Sequence, residues 1–376
     1  MNIALSYDRI NKMGGAERVL LSFHRIWPDA PVMTPIHDKT YHGWSDVFRV
    51  ISPSFGSTRF VSRHHEWFAW LTPWLTEQLS FDGYDTVLSM SSGDTKGIIT
   101  KPEVCHIDYC LTPTRYLWSG HDAYADDPGI GISSFLVRPL FRFLLPFLRR
   151  WDLVASSRPD VMIAISKRVQ KRIMQFYHRK STVIYPPVDT DMFVPSVTPI
   201  DDGYFLTVGR LVSYKRIDLV IEAAQKVGRR LIVIGRGRQL AKLQRLVNND
   251  SITFVTEHLT DEKMRAYYQR CHAFVFAGDE DFGIAAAEAN ACGKPVICYS
   301  ESGIAEIVRD TVTGLFFRAQ SVSSLVAAME QFETMEFSVS ACRKNAERFS
   351  TERFLKEIRT TVEQSTRIYR KGMEIV

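Results

Sequence analysis

The chain has 376 residues, more than one ordinary hydrophobic core serves, so two domains with a cleft between them are expected. A composition of 45% hydrophobic and 24% charged residues is that of a globular protein, and Arg, Lys or Pro interrupts every apolar run before it reaches membrane-spanning length. The net charge of +5 at pH 7 is mild and comes with no recognised nucleic-acid-binding motif.

NIALSYD (2–8) reads as a first β-strand; it lacks the basic start and cleavage site of a secretion signal, and a cytosolic location is expected. TVLSMSS (86–92), VCHIDYC (104–110), VMIAIS (161–166) and STVIYPP (181–187) read as further strands of a loosely connected sheet, giving a first domain over 1–187. Two stretches, SFLVRPLFRFLLPFLRR (134–150) and SKRVQKRIMQFYHRK (166–180), are basic. Each suits a half-solvated helix over the core, or a patch drawn to an anionic membrane surface. Six cysteines without a C-x-x-C pair sit mostly in apolar segments and read as buried reduced thiols; Cys105, His106 and Cys110 offer three zinc ligands with no fourth near in sequence. Pro186, Pro187, Pro195 and Pro199 punctuate a polar stretch that closes at Asp201, Asp202 and Gly203, which places a hinge at 188–203.

From Tyr204 the pattern alternates short β-rich runs with helical stretches, the signature of a parallel sheet wrapped by helices. Strands are expected at 204–209, 231–235, 252–255, 273–277 and 295–299, and helices near 216–227, 238–248, 261–269, 283–292 and 303–309. They make a second domain over 204–350. The remainder, 351–376, holds an amphipathic helix over roughly 351–370 that follows its own domain or packs back on the first; pattern leaves both open.

Ligands of open α/β sheets bind beyond the carboxyl ends of the strands, so the residues following each strand belong together. In the second domain these are Arg210 and Lys215, then Gly235-Arg236-Gly237, then GDEDFGIAAAEA (278–289), then SESGIAE (300–306). Acidic residues as close as Asp279, Glu280 and Asp281 repel one another and need a compensating partner. Phe282, Gly283 and Ile284 open a helix whose first-turn N–H groups attract an anion, and Arg210 and Lys215 add whole positive charges. The set describes a diphosphate site, with Arg able to bind two oxygens and Lys acting as a mobile point charge. Were Glu280 and Glu288 both helical, they would stand about 12 Å apart at 1.5 Å per residue, of the order needed to hold two hydroxyl-bearing rings either side of a diphosphate.

Glu280-x-Phe282-Gly283-Ile284-x-x-x-Glu288 resembles the E-x-F-G-I-x-x-x-E signature of the family-4 retaining glycosyltransferases, whose α/β GT-B fold sets two Rossmann-like domains facing across a cleft. VGRLVSYKRIDLVIEA (208–223), VIYPPVD (183–189), EANACGKPVI (288–297), SGIAEIVRDTVTGLFF (302–317) and Gly14-Gly15-Ala16-Glu17 are similar to that family's landmarks in the same order, so the resemblance covers essentially the whole chain. With TPTRYLW (112–118), the wording is most similar to bacterial surface-polysaccharide mannosyltransferases.

The resemblance implies that Arg210 and Lys215 bind the donor diphosphate and neutralise the leaving nucleotide without a metal or other cofactor, and that Glu288 holds the ribose hydroxyls. It implies further that Glu280 holds the donor sugar, that the backbone at Phe282, Gly283 and Ile284 meets sugar and phosphate, and that Gly14 and Gly15 let the first domain approach the donor. Base recognition would fall to loops such as Gly235-Arg236-Gly237 and TEHLT (256–260), including His258 and Leu259. The expected partners are a nucleotide sugar, GDP-mannose before UDP-sugars such as UDP-glucose or UDP-N-acetylglucosamine, and a glycan acceptor carried on a lipid at the inner membrane face. Related sequences usually carry a catalytic-site His where this chain has Leu111, which can neither hydrogen-bond to a sugar nor carry a proton. In the front-face mechanism proposed for the family, a leaving phosphate oxygen takes the acceptor proton instead. Three other readings remain open at this point: a metal-dependent GT-A transferase using Asp279-x-Asp281 or Asp189-x-Asp191, a binding protein that lost turnover with the histidine, and a nucleotide-sugar epimerase.

Overall fold

The computed structural model describes residues 1–40, 43–119, 134–198 and 200–373; for 65–66 and 134–141 it describes the backbone alone. Pro199 of the expected hinge and the first side chains of the basic stretch 134–150 lie outside the described residues. The chain divides into two compact units, one formed by 1–185 with 354–376 and the other by 186–353.

The first unit is built on a parallel sheet of β1 (Ile3–Tyr7), β2 (Val32–Met33), β3 (Val50–Ile51), β4 (Thr86–Ser91), β5 (Cys105–Cys110), β6 (Val161–Ala164) and β7 (Thr182–Val183). Its strand order is β3-β2-β1-β4-β5-β6-β7. Every residue of β1, β4 and β5 is buried, as a parallel sheet covered on both faces requires, the polar Ser89, Ser91, His106 and Asp108 included. The helices are α1 (Gly15–Ile26), α2 (Arg59–Arg63), α3 (Thr72–Glu77), α4 (Ser134–Ser157) and α5 (Lys167–Tyr177). α1 buries Val19, Leu20, Phe23 and Ile26, residues at helical spacing on one face. All six cysteines are buried free thiols, and burial pushes the Cys271 thiol up to about 12.

The second unit carries β8 (Tyr204–Val208), β9 (Arg230–Ile234), β10 (Ile252–Val255), β11 (Ala273–Phe276), β12 (Val296–Tyr299) and β13 (Gly314–Phe317), in the order β10-β9-β8-β11-β12-β13 and parallel throughout. Its helices are α6 (Ile217–Val227), α7 (Leu240–Arg245), α8 (Asp261–Arg270), α9 (Ile284–Ala291), α10 (Val322–Phe332) and α11 (Val339–Ala346). Phe205, Val220, Val233, Val275, Ile297 and Met329 meet in its core. The strand order reverses at the β8–β11 pair, the place in an open α/β sheet beyond whose carboxyl edge ligands bind.

The last helix, α12 (Thr351–Met373), runs longer than its amphipathic pattern indicated and packs on the first unit. Phe354 stacks on Phe23 with centroids 5.8 Å apart, and Arg370 meets Asp85 at 2.6 Å. The stretch 188–203, expected as a hinge, belongs with the second unit. Val188 bridges to Ser350, Phe193 is fully buried edge-on against Tyr268, and the Arg343 guanidinium donates to the carbonyls of Thr190 and Phe193 at 2.6 and 2.8 Å. Proline punctuation signals a non-helical, non-strand path, and such a path can be as firmly anchored as a strand.

Candidate active site

β8 ends at Val208, Gly209 and Arg210 follow, and a 3₁₀ turn over Ser213–Lys215 returns the chain toward β11. Beyond β11, Gly278 lies so close that a Cβ there would stand 2.6 Å from the Lys215 Cα, which only glycine avoids. That approach brings Lys215 Nζ within 2.7 Å of Glu280 Oε1, with both side chains mostly buried, and 5.4 Å from the centre of the Phe276 ring. The acidic segment thus meets its counter-charge from the neighbouring loop. The Glu280 backbone is fixed as well: its N–H donates to Ser302 Oγ at 3.1 Å and its carbonyl accepts from Gly303 N–H at 2.7 Å. Arg210 is exposed and donates to the Tyr214 hydroxyl at 3.1 Å.

The helix expected from Gly283 begins one residue later, and this corrects the reading of its first turn. Gly283 adopts φ 94° and serves as the N-cap, a left-handed conformation in which a Cβ would run into the Ile304 side chain. The first-turn N–H groups therefore belong to Ile284, Ala285 and Ala286, of which Ala286 bonds back to the Gly283 carbonyl at 3.0 Å. Phe282 precedes the cap, and its buried ring packs on Phe349 with centroids 5.3 Å apart. Glu280 lies in the loop before α9, so the helical spacing assumed between it and Glu288 does not apply. Glu288 sits within α9, is only 7% exposed, and accepts a 2.9 Å hydrogen bond from the hydroxyl of the fully buried Tyr268 on α8.

Gly235 follows β9, where its N–H donates to the Val255 carbonyl at 3.0 Å, and Arg236 reaches the Thr256 carbonyl. His258 and Leu259 lie in the loop after β10; His258 Nδ1 is 3.0 Å from the Leu259 carbonyl, and Leu259 itself is buried. Arg210, Lys215, Gly235, His258, Leu259, Glu280, Gly283 and Ile284 all fall at or beyond the carboxyl edge of one sheet. Tyr268 and Ser302, which hold Glu288 and Glu280, were not singled out by pattern. Neither a lone tyrosine in a helix nor a serine in a loop carries a signal at that level.

In the first unit Gly14 caps α1 and Gly15 is its first residue; Glu17, two positions on, is buried and accepts from the Tyr7 hydroxyl at 2.6 Å. Leu111 follows β5 directly. His106 lies within that strand, fully buried, with Nε2 2.8 Å from Ser89 Oγ, and burial pulls its pKa down to about 3. It is a neutral histidine of the core, five residues before Leu111. A polar network also lies here. Lys96 and Asp152, 1% and 0% exposed, pair at 2.6 Å, and Asp152 accepts from Thr114 and Trp118 of the TPTRYLW segment at 2.8 and 2.7 Å. No group of three or more metal-ligating side chains occurs among the described residues.

Residues 189–349 match the family described as Glycosyl transferases group 1. An uncharacterized glycosyltransferase of Methanocaldococcus jannaschii is 26% identical over 199 residues, 52% of this chain and 56% of that protein. The D-inositol 3-phosphate glycosyltransferase of Mycolicibacterium smegmatis is 30% identical over 151 residues, 35% of each chain. The alignments thus span about half of these curated relatives, or less. Among solved structures, the lipopolysaccharide outer core galactosyltransferase WaaB superposes with a TM-score of 0.66 at 16% identity, covering 97% of this chain and 99% of that one. Anabaena HepE in complex with UDP and glucose superposes with a TM-score of 0.68 at 18% identity, covering 96% and 99%. The likeness establishes the GT-B fold, two parallel-sheet Rossmann-like domains, and removes the GT-A architecture. Asp189 of one D-x-D match is occupied in a turn, accepting from Met192 N–H at 2.9 Å.

Proposed function

We propose that the protein is a retaining, metal-independent hexosyltransferase that moves a sugar from a nucleotide donor to a glycan acceptor. The observation that carries this reading is the Lys215–Glu280 pair at 2.7 Å, a cation and a carboxylate held together where the strand order reverses. Arg210 and Lys215 bind the donor diphosphate and stabilise the negative charge that grows on it as the glycosidic bond breaks. Glu280 hydrogen-bonds the sugar hydroxyls and Glu288 those of the ribose, while the first turn of α9 faces the sugar and phosphate. With Leu111 in place of an imidazole, the acceptor hydroxyl passes its proton to the departing phosphate oxygen on the face where the new bond forms. The anomeric configuration is then retained.

The resemblance to polysaccharide mannosyltransferases favours GDP-mannose as donor, a lipid-linked glycan as acceptor and work at the cytosolic face of a membrane. No helix among the described residues is long and apolar enough to cross one. A UDP-sugar is the second reading, favoured by the UDP and glucose held in the HepE structure. Thermal-shift titration separates the two: a nucleotide at 100 times its Kd stabilises the fold by about 2.7 kcal/mol. Stabilisation by GDP and GDP-mannose supports the first, and stabilisation by UDP alone overturns it. NMR of the product's anomeric proton, with transfer run in EDTA, tests retention and metal independence together.

A further inference from the structure

The first unit exposes an array of large aromatic side chains that the transfer reading does not use. Phe55, Phe60, Trp67, Trp70 and Trp74, each between 42% and 63% exposed, crowd the segment that carries α2 and α3. On α4, Phe143 and Phe147 are 68% and 65% exposed and share one face with Arg150 and Val154, at helical spacing. The two elements lie side by side: Glu77 at the end of α3 accepts from Trp151 Nε1 at 2.8 Å and pairs with Arg158 at 2.6 Å. Interleaved among the aromatics are exposed Arg59, Arg63, Arg142 and Arg150, and no acidic side chain described in 53–78 or 142–158 is exposed. Tryptophans beside arginines match the chemistry of an anionic bilayer interface, where amphipathic rings sit at headgroup level and basic groups meet lipid phosphates, and the four arginines outnumber Glu66, which stands between Arg63 and Trp67 in sequence.

We propose that this aromatic and basic face of the first unit docks on an anionic membrane surface by inserting its tryptophans into the interface. The proposal deepens the lipid-linked reading of the acceptor, on which it rests. It also moves the anchor from the basic stretch 166–180 to the tryptophans of 67–74 and the phenylalanines of α4. Because it is read without donor or acceptor, its failure and that of the transfer reading are distinguishable.

The test measures the full chain against vesicles of phosphatidylglycerol with phosphatidylcholine, and of phosphatidylcholine alone, by sedimentation and tryptophan emission. Expected are association with the anionic vesicles, a blue shift, and quenching by lipids with brominated acyl chains. The variant Trp67→Ala/Trp70→Ala/Trp74→Ala is expected to bind at least about tenfold more weakly with the blue shift lost. The separate variant Phe143→Ala/Phe147→Ala is expected to weaken binding in the same sense, and it keeps the test open should the triple variant fail to fold. Failure of the wild-type chain to associate, association without blue shift or quenching, or unchanged binding by both folded variants would overturn the proposal. So would a dimer in sedimentation velocity that the substitutions dissolve while vesicle binding is absent, since the face would then serve a second copy of the chain.

Discussion

Lys215 and Glu280, on the loops after β8 and β11, pair at 2.7 Å, a cation and a carboxylate that the proposed function assigns to opposite parts of one donor. On the proposed function, a diphosphate entering the site would compete with Glu280 for Lys215 and release the carboxylate to the sugar, coupling the two halves of the donor through one ion pair. Glu280→Gln is accordingly expected to lower transfer at least tenfold, on the scale of a lost charged hydrogen bond of about 1.5–3 kcal/mol, yet to bind free nucleoside diphosphate as well as the wild type or better. Calorimetry alongside a transfer assay checks both halves. A parallel loss of nucleotide affinity would show that Glu280 does not restrain Lys215.

Tyr268 is expected to act by positioning Glu288, whose carboxylate it meets at 2.9 Å. Tyr268→Phe keeps the buried ring and removes one hydrogen bond to a charged group, a loss of about 1.5–3 kcal/mol shared between donor affinity and stability. A raised KM for donor with kcat little changed is the expected pattern. If the melting temperature falls and the kinetics do not move, Tyr268 serves the fold alone.

How much of this was legible beforehand follows from the kind of signal each feature carries. The five strands from β8 to β12 are short, β-rich and continuous, and they stood out; β2 and β3, two residues each, have no period to detect. β13 closes the sheet with only Gly314-Leu315-Phe316-Phe317 and lies among turn residues. Arg210, Lys215 and Glu280 could be grouped because strand ends of a parallel sheet share an edge. The pairing of Lys215 with Glu280, the support of Glu288 by Tyr268 and the burial of Lys96 with Asp152 depend on tertiary approach between distant segments, which no local pattern encodes. The start of α9 was misplaced by one residue because a glycine at that boundary can be either the first helical residue or its cap.

The buried Lys96–Asp152 pair leads to a prediction about stability. Lys96→Met strands an unpaired carboxylate beside Thr114 and Trp118 and is expected to cost about 3–5 kcal/mol, since breaking one side of a buried pair leaves an uncompensated charge. The double variant Lys96→Met/Asp152→Leu removes that charge and is expected to recover part of the loss. Urea unfolding midpoints measure both. A single variant within about 1 kcal/mol of wild type would mean that the network relaxes or takes in water.

Asp108 gives a pH dependence. It is fully buried on β5, and burial raises its pKa to about 6 against hydrogen bonds from Ser89 and Ser91 at 2.7 and 2.9 Å. Because the folded pKa lies above the unfolded value near 3.8, folding favours the protonated acid. Its contribution is therefore fully present below about pH 4 and is lost as pH rises to about 6. Asp108→Asn has no proton to lose, so relative to wild type it is expected to gain about 2–3 kcal/mol between pH 4 and pH 7. Parallel stability curves for the two proteins across that range would contradict the assignment.

The proposed function depends most directly on a nucleoside diphosphate meeting Lys215 at the carboxyl edge between β8 and β11. Titration calorimetry of GDP and UDP into the wild-type chain and into Lys215→Ala is the measurement that addresses this. The expected result is binding of one of the two nucleotides by the wild type, weakened at least about tenfold in the variant while its melting temperature stays close to wild type. Binding of neither nucleotide, or equal affinity in the wild type and the folded variant, would contradict it.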